Sequence, residues 1–429
     1  MQEFEITKCR TCYSENLIKI ISLGEQHISN FINSEEEQGT KIPLDLILCS
    51  DCKLLQLKHN APSEKMWGGH YWYKSGINKI IIDDLKDIVD KSEKLVNLNK
   101  DDIVIDIGCN DGTLLGFYDK EGIELVGFEP SKNVAQEAVS KGFNIINNFF
   151  NVDNFKERFP GKKAKIITAI SMFYDLENPN GFVQDIAECL DENGIFVIQQ
   201  NYMLSMLEQN VFDNICHEHR EYYSLTSLKP LLEKYNLEIF DVELNEINGG
   251  SIRTYIKFKN NHLTNSFKDA KKRIFRVEEK EKQAELEIAK PYLDFAKRIS
   301  GIKENLLRFI EIERAKGKTF GILGASTRGN TLLQYFELNS NMIIAAAEAN
   351  PDKWGKKTVG TLIPIVSIDE MKRINPDYQI LTIWHLFEGL MDKEKEYLKE
   401  GGKFILPLPE FKIIEYSKDL DKLMISKFL

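Results

Sequence analysis

Residues 103–113 combine one acid and two glycines in a pattern that suits the binding of a small ligand. The stretch reads Ile-Val-Ile-Asp-Ile-Gly-Cys-Asn-Asp-Gly-Thr, so an apolar run ends in Asp106 and is followed by Gly108 and Gly112. This predicts a buried strand that turns sharply into a helix, with backbone NH groups exposed at the turn. The pattern fits neither common phosphate-binding fingerprint, and no lysine follows to reach a phosphate. An acid at the strand end favours a cationic ligand instead.

A second acid follows at the distance expected for the next strand of the same sheet. The apolar run Glu124-Leu-Val-Gly-Phe ends in Glu129, 23 residues after Asp106. In a βαβ unit this spacing brings a carboxylate to ribose hydroxyls, from which it can accept two hydrogen bonds. An ordinary dinucleotide-binding domain, or a loop that only caps a helix, are the alternatives.

The glycine loop resembles motif I of the class I S-adenosylmethionine (SAM) methyltransferases, in which this loop wraps the amino-acid part of the cofactor. The resemblance implies SAM as the cofactor. The SAM site that we predict consists of Asp106, Gly108, Cys109, Asn110, Gly112, Glu129, Pro130, Ser171 and Met172.

Four of the seven cysteines form two Cys-x-x-Cys pairs near the N-terminus. Cys9 and Cys12 make the first pair, and Cys49 and Cys52 make the second. In a reducing cytosol such pairs favour a metal over disulfides, and together they can supply the four thiolates of a tetrahedral zinc site. A closed four-thiolate site has no position for substrate, so we predict a structural Zn²⁺. The alternative is a metal-free lobe with reduced cysteines.

The segment Cys216-His-Glu-His-Arg-Glu-Tyr-Tyr-Ser is the densest cluster of titratable and aromatic groups in the chain. His217 and His219 do not have the spacing of a zinc deaminase or of a His-Glu-x-x-His metalloprotease. In an extended segment both would point to one side, with Glu218 opposite. A histidine can remove an acidic C–H as a general base, and a neighbouring Glu or Tyr can orient it or bind an enolate oxygen. A buried polar network that only anchors a loop is the alternative.

The composition is that of a globular protein with more than one core. The chain has 429 residues, of which 28% are charged and 42% hydrophobic, so we expect two or three domains. No apolar stretch reaches the ~18 residues that span a bilayer, and the N-terminus lacks the apolar core of a signal peptide. The net charge of −10 argues against general nucleic-acid binding. We expect a cytoplasmic protein with no nucleic-acid or membrane partner.

The elements that position these residues can be read from the hydrophobic pattern. Residues 77–96 have the apolar spacing of an amphipathic helix. Helical stretches then alternate with short apolar runs, which predicts a doubly wound α/β sheet whose strand 4 leads into the loop at 171–175. The strands that we predict are 103–107, 124–128, 143–147, 165–170 and 194–200.

The C-terminal part begins with a strand after the glycine pair at 249–250. Residues 265–315 are charged and predict a solvated helical hairpin interrupted at Pro291. A second α/β unit opens at 319, with Gly324 and Gly329 at a strand-to-helix turn where an anion can bind. The alternative is a lobe that serves only as a packing scaffold.

Taken together and in this order, the motifs resemble those of the sugar C-methyltransferases that act on nucleotide-linked keto-deoxysugars. They are the two cysteine pairs, the Asp-x-Gly-Cys-Asn-Asp-Gly loop, His-Glu-His-x-x-Tyr-Tyr-Ser-Leu, Gly-Gly-Ser-Ile-Arg and Gly-Ala-Ser-Thr-Arg-Gly-Asn-Thr. The resemblance implies a zinc-binding lobe at 1–70, a class I methyltransferase Rossmann-like domain at 71–245 and a Rossmann-like α/β lobe at 246–429 that helps to hold the nucleotide-sugar. It also implies enolisation of a 4-keto sugar, followed by attack of the adjacent carbon on the cofactor methyl group.

The resemblance assigns roles to residues at matching positions. His219 matches the base, Glu218 its acidic neighbour, and Tyr73 approximately matches a tyrosine near the methyl group, with Tyr71 as a rival. The catalytic set that we predict is His219, Glu218, Tyr73, His217 and Tyr222, and the predicted substrate ligands are Tyr174, Asn201, Arg253, Arg328 and Lys353.

Two departures from the family pattern lie on the acceptor side. The best-known members have a tyrosine where this chain has Cys216, and a histidine in the loop after strand 4, where this chain has Phe173-Tyr-Asp. The position of methylation therefore does not transfer. O-methylation of a sugar or a related polar metabolite is the alternative reaction, and a non-catalytic cofactor-binding protein is the alternative class. We expect a monomer or a small homo-oligomer.

Overall fold

The computed structural model describes residues 5–67, 71–261, 267–391, 394–417 and 421–427. The first of these ranges forms most of a small β-sheet. Its elements are β1 (Leu17–His27), β2 (Phe31–Ile32), β3 (Lys41–Cys49), β4 (Leu55–Leu57) and α1 (Ser63–Trp67).

The second range contains a large sheet with helices between its strands. Its elements are α2 (Lys79–Leu95), β5 (Ile103–Ile107), β6 (Glu124–Phe128), α3 (Lys132–Ser140), β7 (Asn144–Ile146), α4 (Val152–Arg158), β8 (Ala164–Ile170), α5 (Pro179–Cys189), β9 (Leu190–Asn201), α6 (Met203–Glu208), β10 (Glu221–Tyr222), α7 (Leu225–Glu233), β11 (Leu237–Asn245) and β12 (Ser251–Phe258).

The remaining ranges contain two long helices and a second large sheet. Their elements are α8 (Ala270–Gln283), α9 (Lys290–Ala315), β13 (Phe320–Leu323), α10 (Thr327–Tyr335), β14 (Ala346–Glu348), β15 (Lys357–Thr358), β16 (Ile365–Ser367), α11 (Ile368–Ile374), β17 (Tyr378–Leu381), α12 (Phe387–Met391), α13 (Lys395–Lys399), β18 (Lys403–Leu406), β19 (Lys412–Ser417) and β20 (Lys422–Lys427).

The predicted doubly wound sheet is confirmed. Its strand order is β11-β12-β9-β8-β5-β6-β7, with parallel pairing from β7 to β9 and antiparallel pairing of β12 with β9 and β11. Every residue of β5 is buried, as expected for a central strand covered by helices on both faces. The carboxyl ends of β5, β6 and β8 meet at one edge, where open α/β sheets bind ligands.

The glycine loop itself differs from the prediction in two respects. A short 3₁₀ turn, Leu115–Phe117, stands where an α-helix was predicted, because Gly112, Gly116 and Gly122 disfavour helix across this short connection. The backbone NH groups are not exposed either. Gly108 N and Cys109 N both donate to the carbonyl oxygen of Phe128, at 2.8 and 3.1 Å.

The charged region after residue 265 was predicted to be a solvated hairpin, and this is wrong for one of its faces. Pro291 lies in the first turn of α9, where proline is tolerated because its missing NH would have no helical partner. One side of α9 is buried, including Tyr292, Phe295 and Leu306. The helix therefore packs into the core as an amphipathic element.

The C-terminal sheet is a second Rossmann-like sheet, in the order β16-β14-β13-β17-β18-β19-β20. The first five strands pair in parallel, and β19 and β20 add an antiparallel hairpin at the edge. The predicted α/β character of this part is confirmed. Among the residues that the structure describes, no helix is both long and apolar enough to traverse a bilayer.

The N-terminal sheet is completed by a strand from much later in the chain. Its order is β1-β3-β4-β10, and β10 pairs Glu221 with Gln56 and Tyr222 with Leu55. β2 pairs with β15 of the C-terminal part in the same way. The segment 216–224 is thus attached directly to the cysteine-containing lobe. The domain boundaries near residues 70 and 245 stay predictions.

Candidate active site

A deep cleft with roughly 1420 Å³ of empty space, part of it open to solvent, lies at the carboxyl ends of β5, β6 and β8. Most of the predicted cofactor residues line it. They are Asp106, Gly108, Cys109, Asn110, Glu129, Pro130, Ser171 and Met172. The fold therefore brings together groups that lie up to 66 positions apart in the sequence.

Glu129 is held in a fixed orientation at the wall of this cleft. Its Oε2 accepts a hydrogen bond from Asn110 N at 3.0 Å, and its Oε1 accepts one from Ser131 N at 2.7 Å. Burial raises the pKa of this carboxyl, and the two backbone donors oppose that rise. Each oxygen keeps a further lone pair, so the group can accept hydrogen bonds from ribose hydroxyls.

Asp106 is almost completely buried beneath the cleft. Burial raises its pKa to about 7, against the effect of a hydrogen bond from Thr168 and with a smaller contribution from Glu129. Thr168 Oγ1 donates to Asp106 Oδ1 at 2.6 Å. A carboxyl group whose pKa lies near neutral pH ionises readily when a cation binds next to it. This is the behaviour expected of a ligand for the positively charged part of SAM.

Gly112 lies outside the cleft and has a packing role. A Cβ atom at this position would lie 2.7 Å from the Phe143 ring, and its φ of +77° favours glycine. Gly108, by contrast, lines the cleft, and a Cβ there would lie 3.0 Å from Met172 Cγ. Of the two glycines that define the motif, one shapes the cleft and the other allows the loop to pack against its neighbours.

The segment 71–76 lies across the glycine loop and is bound to it through its backbone. Asn110 donates from Nδ2 to Tyr73 O at 3.1 Å and accepts from Ser75 N at 3.0 Å, while Asp111 Oδ2 accepts from Gly76 N at 3.1 Å. Tyr71 and Tyr73 both line the cleft. Both candidates for the tyrosine near the methyl group thus line the same cleft as the predicted SAM residues, and the choice between them stays a prediction.

Several aromatic side chains in the cleft were missed by the sequence analysis. Phe128, Phe149, Phe150 and Phe182 line its side near β6 and β7. Phe150 packs edge-on against Phe128 and Phe182, with ring centroids 5.1 and 5.5 Å apart. Apolar rings here can contact a flat purine base. The adjacent pair Phe149-Phe150, just after a strand, was the available signal.

The four N-terminal cysteines form one cluster. Their sulfur atoms all lie within 4.8 Å of one another, with 3.4 Å between Cys9 Sγ and Cys52 Sγ and 3.5 Å between Cys12 Sγ and Cys49 Sγ. A zinc ion with Zn–S bonds of about 2.3 Å fits such a tetrahedron. All four cysteines are free of disulfides, so the residues present fit the predicted structural metal.

The cysteine cluster is docked onto the central domain at a defined point. Asn180 donates from Nδ2 to the carbonyl oxygens of Arg10 and Thr11, at 2.8 and 3.0 Å, and Lys234 Nζ donates to Thr11 O at 2.5 Å. The Arg10 side chain donates to Leu57 O at 2.6 Å and lies 3.6 Å from Glu221. The first Cys-x-x-Cys knuckle therefore contacts both α5 and the segment that carries the histidines.

His217 and His219 occupy different environments. His217 is buried, and its Nε2 lies 3.0 Å from Ile42 O in the N-terminal lobe. Because a carbonyl oxygen can only accept, His217 is a donor there. Burial lowers its pKa to about 4. Its contacts are those of an anchor between the two regions, and its predicted catalytic role stays a prediction.

His219 lies next to the loop that follows β8. Its Nδ1 is 2.9 Å from Asn214 O, and its ring packs against Tyr174 with 4.3 Å between centroids. The carbonyl partner requires a proton on Nδ1, so Nε2 carries the free lone pair. Burial lowers the pKa of His219 to about 3, so the imidazole is neutral. It is not among the residues that line the main cleft, and the charge of Arg328 in the C-terminal part contributes to the lowering of its pKa.

The neighbours of His219 are buried polar groups. Glu218 Oε2 has no hydrogen-bond partner among the described residues, and burial raises the pKa of this carboxyl. The hydroxyl of Tyr222 donates to Asn214 O at 3.3 Å. Tyr222 therefore shares an acceptor with His219 and fixes the backbone that holds the imidazole.

Arg328 connects this region to the C-terminal lobe. Its guanidinium donates from Nη1 to Asn248 O and from Nη2 to Asp213 Oδ2, both at 3.0 Å. Trp384 Nε1 also donates to Asp213 Oδ2, at 3.2 Å. In the part of the chain that the structure describes, Asp213 Oδ1, Arg328 Nε and His385 Nδ1 are buried without a hydrogen-bond partner. Unsatisfied polar groups of this kind call for a polar ligand or water.

The other predicted substrate ligands are engaged within the protein to different degrees. Arg253 is buried and donates to Asp84 at 2.8 Å, to Asp87 at 2.7 Å and to Gln199 at 2.7 Å. Lys353 Nζ donates to Ala325 O at 2.8 Å, in the loop after β13. Asn201 is buried, and its Oδ1 has no partner within the described ranges. These internal hydrogen bonds are sufficient to explain the burial of Arg253 without a role in substrate binding.

Three family models match the chain in the order of its parts. A model for a zinc binding domain matches residues 9–67, a model described as "Methyltransferase domain" matches residues 77–242, and one described as "C-methyltransferase C-terminal domain" matches residues 246–409.

Individual proteins resemble the chain over different lengths. C-methyltransferase NovU of Streptomyces niveus is 28% identical over 419 residues, which are 97% of this chain and 98% of NovU. The crystal structure of a S-adenosylmethionine-dependent methyltransferase from Clostridium acetobutylicum ATCC 824 covers 41% of this chain and 92% of its own, with 15% identity and a TM-score of 0.34. The crystal structure of the plantazolicin methyltransferase BamL in complex with a triazolic desmethylPZN analog and SAH covers 41% of this chain and 83% of its own, with 17% identity and a TM-score of 0.33.

Proposed function

Because the chain belongs to the SAM-dependent C-methyltransferases, we propose that it methylates a carbon next to the keto group of a nucleotide-linked deoxysugar. In this proposal His219 removes the proton from that carbon. When bound, SAM would supply the methyl group to the enolate carbon, with the electron pair of its C–S bond going to the sulfur. Tyr71 and Tyr73 line the cleft where the methyl group would lie.

Several predictions from the sequence are confirmed. The class I methyltransferase fold, the identity of the chain as a methyltransferase, and SAM as its cofactor are all established, and so is a zinc-binding N-terminal domain with a four-cysteine cluster. The match to C-methyltransferases favours carbon over oxygen as the atom methylated. The alternative of O-methylation is disfavoured for the same reason.

The observation that carries the proposal is the tautomer of His219. The hydrogen bond to Asn214 O at 2.9 Å keeps the proton on Nδ1 and leaves Nε2 free to accept one. The imidazole is neutral at physiological pH, because its pKa is lowered to about 3 by burial. Such a histidine is available as a base but is a weak one. It can take a C–H proton only where the enolate oxygen is strongly stabilised.

Three features of the C-terminal lobe support a nucleotide-linked acceptor. The lobe has a Rossmann-like parallel sheet, Gly324 begins the turn after its first strand with a φ of +98°, and Ser326 caps α10 by accepting from Gly329 N at 2.9 Å. Arg328 and Lys353 place cations beside this turn. Diphosphates bind at such helix starts with neighbouring cations.

A screen of nucleoside diphosphate 4-keto-6-deoxysugars with methyl-labelled SAM tests the proposal. We expect the label on a carbon adjacent to the keto group, located by NMR, and exchange of that carbon's proton with D₂O before transfer. Label on oxygen without exchange would contradict the enolate route. The nucleotide, the cytoplasmic location and a monomeric or small oligomeric state belong to the same proposal.

A further inference from the structure

The wall of the cofactor cleft contains titratable groups to which neither the cofactor nor the known family pattern assigns a role. Asp84 has both oxygens engaged, by Arg253 Nη2 at 2.8 Å and by Gln199 Nε2 at 2.5 Å. Glu177 is exposed. Asp175 differs from both, because it lines the cleft and its Oδ1 is buried with no hydrogen-bond partner among the residues described.

The backbone around Asp175 is firmly held. Asp175 ends the 3₁₀ turn Phe173–Asp175 that follows β8, and its own NH donates to Met172 O at 3.0 Å. Arg220 holds the turn through two hydrogen bonds. Its backbone NH donates to Tyr174 O at 2.7 Å, and its Nη1 donates to Asp175 O at 3.0 Å. The carboxyl is thereby placed between the cofactor wall at Met172 and the histidine-containing segment.

The charges around Asp175 favour its protonated form. Burial raises the pKa of this carboxyl well above its usual range, the Glu218 carboxyl raises it further, Arg220 opposes the rise, and Glu221 adds to it. The other titratable groups that feel its charge are the hydroxyls of Tyr71, Tyr174 and Tyr222 and the thiol of Cys216. Arg220 is the cationic group among these neighbours. A neutral carboxylic acid is a hydrogen-bond donor.

We propose that Asp175 is a catalytic residue whose carboxylic acid donates a hydrogen bond to the keto oxygen of the acceptor. This inference rests on the proposed function. His219 Nε2 takes the proton from the adjacent carbon, the electron pair of that C–H bond forms the C=C bond of the enolate, and the π pair of the carbonyl moves to the keto oxygen, where Asp175 stabilises the negative charge. When that carbon takes the methyl group that SAM would supply, the C=C pair forms the new C–C bond, the oxygen pair re-forms the ketone, and the proton on His219 is released to solvent. No co-reactant other than SAM is required.

We assign Asp175 and His219 to the same step because their chemical properties complement each other. A weak base can deprotonate carbon only if a donor lowers the energy of the enolate. Asp175 supplies that donor at the cleft wall, and His219 packs against Tyr174, the residue before Asp175 in the same 3₁₀ turn. The acceptor would thus have its keto oxygen at Asp175 and the adjacent carbon towards His219.

The first test needs no substrate. The infrared difference spectrum between the wild-type protein and Asp175→Asn at pH 7 should contain the C=O stretch of one protonated carboxylic acid. Absence of that band overturns the inference. Asp119→Asn, in an exposed loop, is the matched control and should give no such band. Unchanged SAM affinity by calorimetry shows that Asp175→Asn keeps its fold.

The second test measures exchange of the acceptor's proton with D₂O in the presence of S-adenosylhomocysteine. Removing one oxyanion donor costs about 10²–10³-fold, so Asp175→Leu should lose that much, whereas Asp175→Asn, whose amide still donates, should lose less. The wild-type rate should fall at high pH as Asp175 ionises, and Asp175→Asn should lack that fall. Exchange that persists in Asp175→Leu overturns the assignment to Asp175 alone. A wild-type protein that exchanges no keto sugar overturns the proposed function, and with it the keto-oxygen contact.

Discussion

The guanidinium of Arg10 lies 3.6 Å from the carboxylate of Glu221, and both side chains are almost completely buried. Arg10 belongs to the first cysteine knuckle, and Glu221 lies two residues after His219. This ion pair therefore joins the zinc-binding lobe to the segment that we propose to carry the base. β10 pairing with β4 reinforces the same connection.

Replacing Glu221 with Gln should destabilise the protein and reduce turnover. Arg10 Nε has no hydrogen-bond partner within the described residues, so loss of the Glu221 carboxyl removes the acid that lies against this buried cation. Burial raises the pKa of Glu221, and Arg10 and Arg220 oppose that rise. Breaking a buried pair costs about 3–5 kcal/mol. Urea unfolding gives the change in stability. Glu5→Gln, which removes an exposed ion pair with Lys58, should change stability little. An equal effect of the two variants would contradict the role of the buried pair.

The stability of the cofactor-free protein should fall with rising pH as Asp106 loses its proton. Its pKa is raised from 3.8 to about 7, so the folded state binds this proton more tightly than the unfolded state. The contribution is fully present below about pH 4 and is lost as the pH rises to about 7. Asp106→Asn should remove this slope from urea unfolding measured between pH 5 and 7.5, a range that brackets that pKa. Asp119→Asn should retain it.

The affinity for SAM should instead increase with rising pH. If the ionised carboxylate binds the cofactor, calorimetry should find tighter binding as the pH rises through about 7. Asp106→Asn should weaken binding by roughly 1–3 kcal/mol, the scale of a lost charge-assisted hydrogen bond. It should also remove the pH dependence. Wild-type binding that is independent of pH would argue against Asp106 as a cofactor ligand.

His219→Gln should abolish exchange of the acceptor's proton and leave SAM affinity nearly unchanged, because His219 is not among the residues that line the cofactor cleft. Its pKa of about 3 predicts no loss of rate from its protonation down to about pH 4. His217→Gln is the matched control, since His217 anchors Ile42 O. That variant should lose stability but keep exchange. Comparable exchange rates in His219→Gln and the wild type would contradict the assignment of His219 as the base.

Removal of zinc should impair acceptor turnover more than cofactor binding. The knuckle that contains Arg10 contacts Glu221 but does not line the cofactor cleft. Cys12→Ser should lower the zinc content measured by mass spectrometry, together with the melting temperature. Cys189→Ser, at a buried cysteine outside the cluster, should retain zinc. Full turnover by a zinc-free protein would refute this coupling.

Gly127→Ala should distort the cofactor loop from below. A Cβ at this position would lie 2.5 Å from Cys109 Sγ and 2.6 Å from Ile145 Cδ1, so the loop residue must move. We expect weaker SAM binding and a destabilised fold. Gly301→Ala provides the contrast, because nothing lies within 4 Å of its Cβ and it is inside α9. That substitution should stabilise the protein by about 0.5–1 kcal/mol.

The parts of the fold that could be predicted are those with a strong local pattern. β5 and β6 have the bounds expected from their apolar runs, and α2 differs from the prediction by one or two residues at each end. The prediction of a helix after the glycine loop was wrong. The motif favours a helix there, but the glycines in the connection disfavour it, and a 3₁₀ turn forms instead. β10 could not be predicted, since a strand of two residues carries no periodicity and its partner lies 165 positions away.

Side-chain roles were harder to predict than strands, because charge alone does not show where a group is directed. Arg253 has the residue type of a substrate ligand but is bound by Asp84, Asp87 and Gln199. Asp175 stood in the loop singled out from the sequence, yet only the structure shows that its carboxyl lines the cleft and lacks a partner among the described groups.

The segment 71–76 links the glycine loop to the two flanking lobes. Its backbone is bound by Asn110 of the glycine loop, and Trp72 within it donates to Asn30 of the N-terminal lobe at 2.9 Å. The Lys356 ammonium of the C-terminal lobe lies 5.6 Å from the centre of the Trp72 ring. A shift of Asn110 would therefore be transmitted through these hydrogen bonds to Tyr73. The glycine loop is thus coupled to one of the two tyrosines that we propose to lie near the methyl group.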